Sequence, residues 1–273
     1  MQGSLGEKIG EGAMADVHAW APGQVVKLFK AGVSRRVSRH EAQKTRAVFA
    51  AGVPAPEVFE EVTLDGRFGF VLQRLDGPTL LQLLQTGLMK PEQAGAIIAT
   101  LYMSVHQARP PAEALFLRDW VDLAARGSAG KIPEHIATGV LALIDRLQPG
   151  DGLCHGDLHC GNVIMTAEGP RIVDWTAAYR APAVLDLGRS HLTLTEFMPD
   201  DYEAPERPPA LNVAVQSEYA RLAGMSPAAL RAAIEPYLPV LRAFALAEPW
   251  GFSPALRQRL IQRIEAALGS EGA

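Results

Sequence analysis

Two cysteines in 273 residues cannot build a disulfide framework, and so few thiols point to a reducing compartment. Basic residues are not in excess. The 26 lysines and arginines stand against 30 aspartates and glutamates, a net charge of −4, which gives a nucleic-acid binder no support. No apolar run approaches the roughly 20 residues a membrane span needs. Met1 to Ser4 lack the basic segment and apolar core of a secretion signal. Internal repeats and low-complexity tracts are also missing. What is present is ordinary for a folded protein: 48% hydrophobic and 21% charged residues, in a chain long enough for one large domain or two lobes. The expectation is a soluble, cytoplasmic protein.

The first quarter reads as β-rich. Leu5 to Ile9, Asp16 to Trp20 and Val25 to Phe29 are strands, the first two separated by Gly10-Glu11-Gly12-Ala13-Met14-Ala15. A helix from Ser34 or Ser38 to Ala50 stops at Gly52-Val53-Pro54. Val58 to Val62 and Phe68 to Gln73 flank Asp65-Gly66, a hairpin signal. After Arg74 helices dominate: Thr79 to Thr86, Pro91 to Gln107, Leu115 to Arg126, Pro133 to Leu147, Val184 to Phe197, Leu211 to Ala223, Pro227 to Leu238, Leu241 to Ala247 and Pro254 to Leu268. The expected fold class is α+β: a five-stranded antiparallel lobe with one helix over 1–75, and a mainly helical lobe over 76–273. A cleft between two such lobes is a common ligand site.

Chemistry concentrates in Cys154-His155-Gly156-Asp157-Leu158-His159-Cys160-Gly161-Asn162. Asp157 can accept a proton from a hydroxyl, and Asn162 can offer its carbonyl oxygen to a hard cation. Asp174 closes an apolar run, where an ionised carboxylate needs a metal or a donor. Together they suit magnesium-assisted phosphoryl transfer, which needs positioned charge more than covalent chemistry. Two cysteines and two histidines in seven residues would be cramped as a zinc site, whose ligands come from separated pairs. Gly10 and Gly12 could let backbone amides approach a phosphate, or could simply form a tight hairpin. Lys27 alternates onto the face of Val25 and Phe29 and needs a partner. Glu41 is that partner if the helix starts at Ser34. If it starts at Ser38, Glu41 instead closes a capping box.

The run from His155 to Asn162, followed by Ile172-Val173-Asp174-Trp175, resembles the signature of the aminoglycoside phosphotransferase and choline kinase-like family. The resemblance extends from about Leu5 to Leu192 and implies the bilobal protein-kinase-like fold. It also implies ATP and magnesium as cofactors, with a hydroxyl-bearing small molecule as the partner. Gly10, Gly12 and Val17 would cover the nucleotide, and Lys27, held by Glu41, would contact its phosphates. Gln73, Arg74 and Leu75 would meet the adenine. Asp157 would be the base, and Asn162 and Asp174 the magnesium ligands. Asp186 would brace the catalytic loop, His155 would support it, and His159 would lie near the site.

Ala15 and Trp175-Thr176 depart from the protein-kinase pattern, and few residues separate Asp174 from Pro182. That leaves no room for an activation loop and argues for a small-molecule acceptor over a protein kinase-like regulator. Joint retention of Lys27, Asp157, Asn162 and Asp174 argues against a silent nucleotide-binding module. An acidic run (Glu196, Asp200, Asp201, Glu203, Glu206) could draw a polyamine-like substrate or be a solvated loop.

Overall fold

Strand-forming segments of the first quarter assemble into one sheet. The computed structural model describes residues 5–112, 114–117, 119, 132–148, 150–197, 207–247 and 252–270. Strands β1 (Lys8–Glu11), β2 (Ala15–Ala21), β3 (Gln24–Phe29), β4 (Val58–Leu64) and β5 (Arg67–Gln73) lie in the order β1-β2-β3-β5-β4, every pair antiparallel. Asp65 and Gly66 both have positive φ, 49° and 74°, the geometry of the tight turn that matches strand twist. Helix α1 (Arg35–Ala50) lays Ala42 against Ala15, Phe29, Val58 and Phe70. Each fully buried Phe contributes about 1.5–3 kcal/mol.

The helical part begins with α2 (Leu80–Gln85). Thr79 accepts from the Gln82 amide at 3.1 Å, and the Gln82 side chain accepts from the Thr79 amide at 2.8 Å. That reciprocal capping box is why so short a helix starts cleanly there. Then follow α3 (Pro91–Gln107), α4 (Glu134–Arg146), α5 (Val184–Thr195), α6 (Arg207–Leu222), α7 (Pro227–Ile234), α8 (Leu238–Ala247) and α9 (Pro254–Ser270). One core gathers around Tyr102, Leu153, Ile172, Trp175 and Val215, a second around Val140, Tyr179, Leu241, Phe244 and Ile264.

Some boundaries differ from expectation. Helix α6 starts at Arg207 rather than Leu211, because Pro208 and Pro209 lack only amides that a first turn leaves unpaired anyway. The helix expected from Pro227 to Leu238 narrows into a 3-10 turn at Glu235–Tyr237, where Pro236 cannot donate. Strand β6 (Gly152–Cys154) pairs with β9 (Tyr179–Ala181), and three residues are too few to show alternation. Between them β7 (Val163–Thr166) and β8 (Gly169–Ile172) form a hairpin. The expected run to Asp174 stops two residues early, since Asp174 takes φ 65°, outside the strand region. Most of the helix expected from Leu115 to Arg126 lies outside the described residues. Among the described residues, no helix is long and apolar enough to cross a membrane.

Candidate active site

Strand register sets up the first wall. Gly10 lies opposite Val17, and Val17 opposite Lys27, so one row across three strands presents a single face. The Gly12 amide donates to the Ala15 carbonyl at 2.8 Å and closes the β1–β2 loop. Helix α1 is N-capped at Ser34, and Ser38 lies inside it. Glu41 is therefore free to leave its own helix. Its Oε1 sits 2.5 Å from Lys27 Nζ, while Asp174 Oδ1 lies 3.3 Å from the same nitrogen. Burial works against a charged Lys27, but Glu41 and Asp174 outweigh it and hold its pKa above the ordinary lysine value. Burial likewise opposes an ionised Asp174, and Lys27 with the Thr176 hydroxyl more than offsets it, keeping that carboxyl below its usual range.

Two residues that sequence reasoning passed over complete this cluster. Thr176 Oγ1 lies 2.7 Å from Glu41 Oε2 and 2.8 Å from Asp174 Oδ1, so its one proton serves either carboxylate. Lys44, one helical turn beyond Glu41, donates to the Thr176 carbonyl at 2.8 Å. Its spacing of i+3 from Glu41 was the available signal. Burial lowers the Lys44 pKa to about 8, with Glu41 opposing. The unfolded chain then binds more protons than the folded one between pH about 8 and 10.5, so this group's contribution to stability rises with pH across that window. The depression is worth on the order of 3 kcal/mol. Urea unfolding at pH 7.5 and 9.5 should show wild type gaining on Lys44→Met at the higher pH. An unchanged difference would contradict this.

The loop after β6 forms the second wall. His155 is fully buried; its Nε2 donates to the Val173 carbonyl at 3.2 Å, and its Nδ1 accepts the Asp157 amide at 3.2 Å. Burial lowers its pKa, so a neutral ring ties the Asp157 loop to the segment carrying Asp174. Beneath lies Asp186, which accepts from the His155 amide at 2.7 Å, the Gly156 amide at 2.8 Å and His106 Nε2 at 3.3 Å. The Tyr219 hydroxyl meets His106 Nδ1 at 2.8 Å, and Tyr102 donates to the Leu158 carbonyl at 3.1 Å. His106, Tyr102 and Tyr219 were not foreseen, because nothing in their own helices marks them.

Gly156 has φ 82°, and a Cβ there would fall 2.5 Å from the Ala177 carbonyl oxygen. Gly156→Ala should cost roughly 1–3 kcal/mol in a denaturant titration, with activity lost beside it. A wild-type midpoint would show that the loop tolerates another backbone path.

The Asn162 side-chain nitrogen donates to the Asp157 carbonyl at 2.9 Å, and the Asn162 backbone carbonyl accepts the Val173 amide at 3.0 Å. His159 Nδ1 accepts the Gly161 amide at 3.0 Å, and Nε2 stands 3.7 Å from Asp157 Oδ2, beyond hydrogen-bond length. Loss of water in the crevice, with a smaller push from His155, lowers the His159 imidazole to about 4. Because 44% of the side chain stays accessible, the depression is best read as a ring neutral at pH 7. A cavity of about 390 Å³ opens beside Asp157, His159 and Gly161.

Other expected groups are committed elsewhere. The Gln73 amide donates to the Glu57 carbonyl and the Arg74 amide to the Gly23 carbonyl, both at 2.9 Å. Glu196 is held by Arg242 at 2.8 Å and Arg263 at 2.5 Å, so it is not part of an open acidic rim. Asp200, Asp201, Glu203 and Glu206 lie outside the described residues. Cys154 Sγ faces the Ala181 and Pro182 carbonyls, and among the described residues no three His, Cys, Asp or Glu side chains converge as a metal cluster.

The phosphotransferase enzyme family matches this chain over residues 9–223. The chain belongs to that family. Among curated proteins none matches. A choline/ethanolamine kinase family protein from Mesorhizobium loti is 19% identical, with a TM-score of 0.55 over 97% of this chain and 88% of its own. A fructosamine-3-kinase-like protein from Haemophilus somnus is 13% identical, with a TM-score of 0.61 over 96% and 91%. An aminoglycoside phosphotransferase from Streptomyces rimosus, solved with ADP and streptomycin, is 20% identical, with a TM-score of 0.53 over 86% and 91%. This phosphotransferase thus has the bilobal kinase-like fold. Its family match runs from β1 through α6 and takes in Lys27, Glu41, Asp157, Asn162 and Asp174.

Proposed function

We propose that this phosphotransferase moves the γ-phosphoryl group of ATP to a hydroxyl of a small molecule, between a lobe of residues 1–75 and one of residues 76–273. The observation that carries the reading is the ion pair of Lys27, on the sheet, with Asp174, 147 residues away on the other side of the cleft. Lys27 holds the phosphates as a fixed positive charge, positioned by Glu41. Gly10, Gly12 and Val17 roof the nucleotide. With the Gln73 and Arg74 amides spent inside the sheet, the amide donor to the base falls to Leu75.

Asp174 and Asn162 fit a magnesium ion. One is a carboxylate held ionised, and the other has its side-chain nitrogen occupied, which leaves an oxygen, the donor type this cation takes. Magnesium, when bound, would neutralise charge on the phosphate oxygens. Asp157 takes the acceptor's proton as the acceptor oxygen bonds to the γ-phosphorus and the bond to the β–γ bridging oxygen breaks. Asp186 holds the loop amides from below, and His155 links that loop to Asp174. His159 lies beside the base, its Nδ1 already accepting an amide.

A small acceptor is favoured over a protein because β9 begins at Tyr179, five residues after Asp174, leaving no docking loop. A cytoplasmic setting, where ATP is available, suits free thiols at Cys154 and Cys160. Incubation with γ-labelled ATP, magnesium and a panel of hydroxylated small molecules should place label on a small molecule. Label confined to protein, or no labelling at all, would count against this reading.

A further inference from the structure

Resting on that reading, we infer that the acceptor is an uncharged alcohol with a largely apolar body, and not a polycation. The cavity of about 390 Å³ beside Asp157 is of a size that takes a drug-sized ligand. Its described walls are Leu81 and Leu84 of α2, Leu194 of α5, Phe197 just beyond that helix, Leu211 of α6, and Phe252. The Phe197 and Phe252 rings stand 5.3 Å apart, tilted by 48°, a continuous apolar wall.

Charge on the described lining narrows the class. The described lining carries one carboxylate, Asp157, and one guanidinium, Arg189. Arg189 is almost fully buried and lies over the rings of Phe197 and Phe244 at 5.4 and 5.6 Å. A compound with several ammonium groups would lose water from each and find, among the described lining residues, one carboxylate, which the reaction itself needs. Glu196 cannot supply a second, being held by Arg242 and Arg263. An apolar body displaces water from leucine and phenylalanine surface and loses little in return. Half-buried Thr193 of α5, on the same wall, is a neutral polar group able to orient a hydroxylated molecule.

The test uses three probes on the full chain: N-octanoylethanolamine (neutral, one hydroxyl, apolar tail), choline, and gentamicin. Binding is followed by calorimetry with ADP and magnesium present, and turnover by ADP formation with ATP and magnesium. Calorimetry with a non-hydrolysable ATP analogue comes first. Failure to bind that analogue overturns the phosphotransferase reading and this inference with it. With nucleotide binding in hand, the neutral alcohol should bind and should exceed both cations in kcat/KM by about tenfold or more. Thr193→Asp, checked by its melting curve, should weaken the neutral alcohol by about tenfold and favour the cations. Gentamicin or choline performing as well as the neutral alcohol overturns the inference while leaving phosphoryl transfer intact. So does a neutral alcohol that neither binds nor reacts.

Discussion

Asp157→Asn should lower acceptor-dependent ADP formation by roughly 10²–10⁴-fold, the usual contribution of a positioned general base, with affinity for magnesium and ATP unchanged. The substitution keeps the side chain's size and removes its capacity to take a proton. The backbone contacts of the loop are untouched by the substitution: the Asp157 carbonyl accepts from Asn162, and its amide donates to His155. His159 is a poor substitute base. Its Nδ1 already accepts the Gly161 amide, which leaves the proton on Nε2. A coupled ADP assay with the acceptor found by labelling gives kcat, and calorimetry gives nucleotide affinity. Wild-type turnover in the variant would remove Asp157 from the reaction.

Asp186→Ala should cost about 3–5 kcal/mol in urea unfolding, a large share of a typical total of roughly 5–15 kcal/mol. The carboxylate receives two backbone amides and an imidazole in a site it occupies at 1% exposure. Alanine would leave the His155 and Gly156 amides buried without an acceptor, each costing about 1–3 kcal/mol. Asp186→Asn keeps one oxygen but turns an amino group toward a donor, so it should fall between wild type and alanine. Both variants should also lose activity, since the loop they release carries Asp157. An alanine variant with the wild-type urea midpoint would show that the brace lies elsewhere.

Legibility in the sequence followed sequence distance. Asp157 and Asn162 could be read because five residues and a glycine-rich loop bring them together. Lys27 could be read from alternation in β3, and its need for a partner from the cost of burying it. Which role Glu41 took was open until the cap was placed at Ser34, because a capping box and an inward ion pair call for the same residue type. Thr176, noted only as a departure from the protein-kinase pattern, and Lys44 were not read as site residues: a threonine in a loop and a lysine in a helix are unremarkable until a distant glutamate is packed against them. His106 and Tyr219 sit 113 residues apart and meet only because α3 and α6 pack together.

By itself the sequence picked out the candidate groups and their order: a lysine on a strand, an aspartate and an amide in one loop, a carboxylate after two short apolar runs. Those depend on local spacing and backbone period, which the chain carries within a few residues. Tertiary structure alone decided which of those groups remain available and what they face. It spent the Gln73 and Arg74 amides on the sheet, paired Glu196 with Arg242 and Arg263, and lined the space beside Asp157 with leucine and phenylalanine from separate segments. Availability, charge state and cavity polarity are set by what packs against a side chain, and in a folded chain those neighbours come from far along the sequence.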